Sequence, residues 1–484
     1  MKKGILSRNF IDIFPFFNKL KIMKLKNDFL ITFFFLSIVV IFYLFFYPPF
    51  YSIMDECDYL TTAYTLKKWT FFLDKVGIPP STATVIGKRH MFSKYPPGNP
   101  LLLFIFTFLH WKIGFIMNFL FFILSFIVFC LLLKEYNISP IFSLLLLLHP
   151  SVILYSRTLM SDIPSMFFIL YGIYLILKEK KFLSGLVLGF SLLLRFSNAV
   201  IISGVLLYLF FNDRKNLHRF LPGIFIFILI QSFYNIFVME GLFAPFLLPT
   251  GAGGLSIIYI KDIGLYYFIS LNILYPLMLL VFILNLKNRE YFLYTFPALI
   301  TLFFFSFYYY IDKGNSFIET LVKGQRFMIP IIPLLLLIYS NSLNKLRYSK
   351  SMILLASFFL LIFDGGINYK MYSFQKEKGI LKDIIYENTK DADIIICNGE
   401  VCKLFNPFFG SKRWINYVFD GKLSIKKEDF KKFNNIYLCF IESSKEKNAK
   451  EIFFDTLLTM FNTEKIIEIQ KPSYLILVKV IKDW

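Results

Sequence analysis

Charge is scarce in this chain. Only 17% of its 484 residues are Asp, Glu, Lys or Arg, whereas soluble domains run nearer a quarter. That shortage excludes an ordinary soluble globule. Histidine is rarer still: four residues, scattered, with none of the spacing of a zinc site. The five cysteines, at 57, 130, 397, 402 and 439, make no disulfide framework. The pair in "CNGEVC" (397–402) could join in an oxidising compartment, although two ordinary loop thiols are the commoner outcome of such a spacing. No small-residue cleavage site follows the first apolar run, and that run is too long for a signal-peptide core. The reading is therefore a retained first helix with a cytoplasmic N-terminus.

What fills the chain instead is apolar surface. Hydrophobic residues make up 57% and aromatic residues 20%, with 63 Phe. Runs such as "DFLITFFFLSIVVIFYLFFYPPF" (28–50) exceed the ~20 residues needed to span a bilayer. The net charge of +20 raises nucleic acid as a partner. The basic residues, however, sit in short loops beside apolar runs, as the positive-inside rule expects, and form no stripe on a soluble unit. The partners expected are the lipid bilayer and its contents, and no nucleic acid.

The basic turns "LKEYN" (133–137), "KEKK" (178–181), "NDRKNLHR" (212–219), "KNRE" (287–290) and "NKLRYSK" (344–350) separate apolar runs. Placing all five in the cytoplasm gives spans near 29–48, 113–134, 139–155, 163–178, 182–195, 197–211, 219–238, 265–286, 291–310, 326–343 and 351–365, about eleven in all. The apolar stretch 100–112 is too short to cross and reads as a re-entrant or interfacial helix. The fold class expected is a polytopic α-helical membrane protein with three parts. A basic cytoplasmic segment, 1–28, precedes a transmembrane domain, 29–365, whose large first outer loop is 49–112. An extracytoplasmic α/β domain, 366–484, follows. In that last part β-rich runs at 393–397, 435–441, 465–470 and 474–481 alternate with helical patterns such as 444–461.

Parity brings three motifs to one face. "MDECDYLTTAY" (54–64) carries Asp55, Glu56 and Asp58 just past the first span; taken alone, they read equally as a solvated helix cap. "RTLMSDIPS" (157–165) places Asp162 in the next outer loop, where a helix N-cap is the alternative reading. "SKYPPGNP" (93–100) returns Lys94 beside a stiff Pro-Pro-Gly turn. A carboxylate at such a face can take a proton from an acceptor hydroxyl. Cations such as Lys94, Arg89, Arg195 and Arg326 can hold a phosphate as charge develops on it. Snorkelling to lipid headgroups is the alternative for each.

In that order, the motifs resemble the GT-C class of polyprenyl-phosphate-dependent glycosyltransferases, in particular the protein O-mannosyltransferase and aminoarabinose (lipid A) transferase branch. Asp55-Glu56-Cys57-Asp58-Tyr59 has that branch's D-E-x-x-Y form. "KYPPGNPLLL" is similar to its K-x-P-P-x-x-x-L turn, "SRTLMSDIPSMFF" to its second acidic loop, and "RFMIPIIPLLLL" to its late R-Y/F-x-x-P-x-x-P helix. The resemblance implies an inverting transfer of a sugar from a polyprenyl-phosphate donor to an unknown acceptor. Asp55, Glu56 and Asp162 would carry the chemistry. Asp58, Tyr59, Arg89, Lys94, Tyr95, Arg157, Arg195 and Arg326 would contact substrate. The fourth position of the first motif, often Arg in the aminoarabinose branch, is Asp58 here. That shifts the phosphate clamp toward Arg89, Lys94 or Arg326. It also leaves an acidic patch suited to Mg2+ or Mn2+ on Asp55, Glu56 and Asp162. The rival readings are a transporter or lipid flippase, which wants ionisable groups near mid-membrane, and a non-catalytic scaffold.

Overall fold

The computed structural model describes residues 23–73, 84–87, 89–244, 254–410, 414–417, 433–442, 462–470 and 473–481. The basic N-terminal stretch up to residue 22 and the helical pattern at 444–461 lie outside the described residues.

Lipid supplies no hydrogen-bond partners, so the long apolar runs satisfy their backbone internally as helices. Among the described residues, six helical stretches are long and apolar enough to cross a membrane: Asn27–Phe45, Trp111–Glu135, Arg214–Phe237, Ile257–Leu274, Phe317–Asn344 and Ser349–Asn388. The first lies within α1 (Met23–Phe45). Three shorter apolar helices, α7 (Asp162–Leu177), α8 (Lys181–Leu194) and α9 (Asn198–Asn212), pack among them, with α10 (Arg214–Phe237) across α8. The α8–α10 crossing is tight because Gly185 has no side chain: a Cβ there would lie 2.1 Å from the Phe220 carbonyl oxygen.

Two expected spans are broken, and prolines mark both places. The stretch 139–155 consists of a 3-10 turn, Pro140–Ser143, then α5 (Leu144–Leu147) and α6 (Pro150–Ser156). Every residue from Ile141 to Ser156 is buried, so this segment runs through the interior rather than along lipid. The stretch 265–286 splits at Leu277, whose φ of +64° follows Pro276 and separates α11 (Ile263–Leu274) from α12 (Met278–Leu284). The short stretch after residue 97 forms only α3 (Gly98–Phe106), whose nine residues fall well short of a bilayer's thickness.

The helix formed by the last apolar run does not stop near 365. It continues as one 40-residue helix, which we number α16 (Ser349–Asn388), about 60 Å long. The intervening helices are α13 (Phe292–Ser306), α14 (Phe317–Lys323) and α15 (Ile332–Asn344). Residue 366 thus falls inside a helix, and the α/β unit is borne on the same rod as the final span.

Among the described residues, that unit has a five-stranded sheet in the order β4-β3-β5-β7-β6. The central strands β3 (Ile394–Cys397) and β5 (Ile436–Ile441) are parallel and fully buried, which explains their unbroken apolar sequences. β4 (Trp414–Tyr417) pairs parallel to β3, while β7 (Leu475–Val480) runs antiparallel to both β5 and β6 (Thr463–Ile469).

A short helix, α17 (Gly399–Cys402), follows β3. Its Glu400 lies 3.0 Å from Lys378 Nζ on α16 and 2.6 Å from Lys403 Nζ. Burial pushes the Glu400 carboxyl up, but Lys403 and Lys378 outweigh burial and hold it at about 2. A depressed carboxyl stabilises the fold above its unfolded value and loses that contribution as pH falls through the folded value. Glu400 therefore contributes about 3 kcal/mol above pH ~4.5, lost between there and pH ~2. Wild type should unfold at higher denaturant than Glu400→Gln at pH 7, and the gap should narrow steadily below pH 4.5. A gap independent of pH would show that Glu400 acts through packing rather than charge.

Candidate functional site

The first acidic motif forms α2 (Met54–Leu66), and Glu56 occupies its N3 position. Glu56 Oε2 accepts hydrogen bonds from Ser52 N (2.8 Å), Ser52 Oγ (2.9 Å) and Ile53 N (2.9 Å). This is the reach-back half of a capping box. Glu56 Oε1 accepts from Leu159 N at 2.8 Å, in the second acidic loop. Burial raises the Glu56 carboxyl against the pull of these four donors. Both oxygens are occupied by protein groups, and their effect is to tie the Asp55 loop to the Asp162 loop.

Asp55 and Asp162 then meet at one guanidinium. Arg326, in the 3-10 turn Gly324–Ile331, donates from Nη2 to Asp55 Oδ2 (3.1 Å), from Nε to Asp162 Oδ2 (3.3 Å) and from Nη1 to Asp312 Oδ2 (3.3 Å). Arg195, at the end of α8, donates to the other oxygen of Asp162. Asp162 opens α7, where the helix dipole favours its charge. The Phe327 ring underlies both guanidiniums, 5.3 Å from Arg195 and 5.9 Å from Arg326. Asp312 accepts further hydrogen bonds from Tyr155 (2.9 Å) and Tyr310 (2.6 Å). Burial raises the Asp312 carboxyl, yet Arg326 and the two hydroxyls hold it below the usual carboxylate range. Three carboxylates thus surround two guanidiniums. Their accessibility differs: the Asp162 side chain is 0% exposed and that of Asp55 is 21%. Of these two, Asp55 is the one a substrate can reach.

The Lys94 motif packs alongside. The Tyr59 and Tyr95 rings lie 4.8 Å apart, and the Tyr59 hydroxyl is 3.3 Å from Ser161 Oγ. Gly98 lets the turn after Pro97 touch the end of α8: a Cβ there would sit 2.5 Å from the Leu193 carbonyl oxygen. Lys94 is half-buried, with Nζ 5.7 Å from the Tyr95 ring, and forms no ion pair among the described residues. Asp58, a turn further along α2, is buried and makes none of the Arg326 contacts.

Two expected substrate contacts lie elsewhere. Arg89 is exposed beside the hairpin of β1 (Thr84–Ile86) and β2 (Met91–Ser93), with its backbone N–H on Glu240 Oε1 at 2.8 Å. Arg157 is fully buried, with its guanidinium 5.5 Å from the Tyr43 ring. The chain turns as α6 ends at Ser156. That turn sends Tyr155 to Asp312 and Arg157, two residues on, into the bundle interior.

The acidic patch does not fit a divalent cation as the motif suggests. A guanidinium already bridges Asp55 and Asp162, and the oxygens of Glu56 are filled by N–H and O–H donors. Among the described residues no three His, Cys, Asp or Glu side chains converge as ligands. The expected result is that saturating EDTA leaves the thermal midpoint of the protein unchanged, because the Arg326 guanidinium already holds Asp55 and Asp162 together. A fall restored by Mn2+ would show that Arg326 swings away to admit an ion.

No family model matches the chain, and no curated protein matches it. Solved structures do. ArnT from Cupriavidus metallidurans in the apo state superposes with a TM-score of 0.61 at 10% identity, covering 93% of this chain and 97% of that one. The same protein bound to undecaprenyl phosphate gives 0.61 at 9% identity, covering 93% and 98%. This chain has the ArnT fold. At such identity the likeness establishes architecture, including the sheet unit at the C-terminal end. Within this ArnT-fold chain, the sequence motifs missed Asp312, Tyr155 and Tyr310. The available signal was weak: "YYYID" (308–312) opens the outer loop that parity already places on the face of Asp55.

Proposed function

We propose that the chain is an integral-membrane inverting glycosyltransferase. It moves a sugar from a polyprenyl-phosphate donor to an acceptor hydroxyl on the outer face of the membrane. The observation that carries this reading is the convergence of Asp55, Asp162 and Asp312 on Arg326 from separate outer-loop segments. The fold likeness to an ArnT crystallised with undecaprenyl phosphate supports the lipid-phosphate donor.

In this mechanism the polyprenyl tail stays in lipid and the acceptor enters from outside. Asp55 takes the acceptor's proton as its oxygen attacks the anomeric carbon. The bond from that carbon to the phosphate oxygen breaks, and the polyprenyl phosphate leaves. Lys94, half-buried and without an ion pair among the described residues, meets the phosphate first. Arg326 adds charge as the leaving group develops. A phosphate is a good leaving group, so no strong general acid is needed. Asp162 and Asp312 hold Arg326 in place, and Glu56 holds the two loops in register.

Purified protein supplied with a panel of radiolabelled polyprenyl-phosphate sugars should release or transfer label from at least one. Failure with every donor would count against the enzyme reading. The transporter or flippase reading draws on a different observation. The side chains of Asp364 and His149 are buried inside the bundle, and their polar atoms have no hydrogen-bond partner among the described residues. That reading expects Asp364→Asn to abolish activity in vesicles, while the transferase reading expects label transfer to survive it.

A further inference from the structure

The thiols of the α/β unit take no part in the proposed chemistry. Cys397 ends β3 and Cys402 ends α17, and their Sγ atoms lie 3.2 Å apart, both fully buried. Cys439 stands beside Cys397 in the sheet register and is also buried. The fourth nearby thiol, Cys57, is engaged elsewhere: its Sγ donates to the Phe405 carbonyl at 3.2 Å.

Four residues beyond Cys402, the chain plugs onto the helix that carries Asp55. Asn406 donates to the Cys57 carbonyl (3.2 Å) and to Thr61 Oγ1 (3.0 Å) on α2. The Phe408 ring meets Tyr64 at 5.1 Å, and Phe409 packs on Phe50 and Trp111. The geometry of the CNGEVC loop therefore fixes where this plug begins.

We propose that Cys397 and Cys402 close a disulfide that locks residues 403–409 against α2; in cells this rests on the reading that the unit is extracytoplasmic. The balance is that of thiol–disulfide exchange. Two protein thiols and one small-molecule disulfide, oxidised glutathione for example, give the protein S–S bond and two molecules of reduced glutathione. The two protein protons and two electrons pass to the glutathione sulfurs. Burial raises the Cys397 and Cys439 thiols and so lowers their thiolate fraction, which slows exchange with any disulfide; the oxidation is therefore carried to equilibrium at mildly alkaline pH.

The test uses the full-length protein in detergent. It is incubated with oxidised glutathione, unfolded, blocked with N-ethylmaleimide and mapped by mass spectrometry. A linked 397–402 peptide, lighter by two hydrogens and lacking maleimide, is expected in nearly all molecules. Maleimide on both residues, or a bond from either one to Cys439, overturns the proposal. Reductant should then lower the thermal midpoint of oxidised wild type by several degrees and leave Cys402→Ser unchanged; equal shifts in both contradict the lock. A Lys465→Cys variant, at an exposed position, reports the side of the membrane through a membrane-impermeant maleimide in intact cells. If Lys465→Cys labels from outside while Cys397 and Cys402 are free in the same cells, the disulfide fails on its own. If Lys465→Cys does not label, the topology has failed, and the detergent experiment alone decides the pair.

Discussion

Asp55→Asn should reduce sugar transfer by about 10^2–10^4-fold, the usual contribution of a positioned general base. The amide keeps the size and one oxygen of the carboxylate but cannot accept the acceptor's proton. Insertion and folding should survive. The Asp55–Arg326 contact is one of three to that guanidinium and the Asp55 side chain is partly exposed, so its loss costs about 1 kcal/mol or less. The decisive comparison is a transfer assay beside a thermal unfolding curve on the same preparation. Wild-type activity in Asp55→Asn would remove the base from the mechanism. Loss of activity together with loss of the folded state would leave Asp55 as a structural residue.

The largest stability effect should come from Arg326→Met. Three carboxylates share this one guanidinium, and Asp162 is wholly buried. Removing one partner of a buried ion pair leaves uncompensated charge and costs ~3–5 kcal/mol. Arg326→Lys should recover little of that, because an ammonium on a flexible stem cannot present the planar fork that addresses Asp55, Asp162 and Asp312 from three directions. The double variant Arg326→Met with Asp312→Asn should regain much of the lost stability, since Arg326 is the cation that faces Asp312 among the described residues whereas Asp162 keeps Arg195, yet remain inactive. Denaturant midpoints of the three variants measure this directly. If the double variant is no more stable than Arg326→Met, the damage comes from lost packing on Phe327 rather than from unpaired charge.

Glu56 shows how a motif can be legible while its role is not. D-E-x-x-Y is visible in the chain, but nothing in it separates the acid that faces substrate from the acid that staples two loops. The separation depends on Ser52, Ile53 and Leu159 offering their donors to Glu56. Arg157 and Arg195 pose the same problem. Both stand near outer motifs, and only the chain turn after Ser156 sends one into the bundle while the end of α8 aims the other at Asp162.

The polytopic helical character and the C-terminal sheet unit were determined by the sequence itself. Long apolar runs in lipid have one way to satisfy their backbone, and short apolar β-branched runs between polar segments have few. Which carboxylates meet was decided by the tertiary structure alone. Asp312 is 14 positions from Arg326, but Asp55 and Asp162 join it only because the bundle brings them, 271 and 164 positions away, to the same guanidinium, and no local pattern encodes contacts of that range. The breaks at 139–155 and 265–286 are marked in the sequence by Pro140, Pro150 and Pro276, but the burial of 141–156 was decided by packing. Apolar content reads alike in a spanning helix and in a segment buried inside the protein, and packing alone tells them apart.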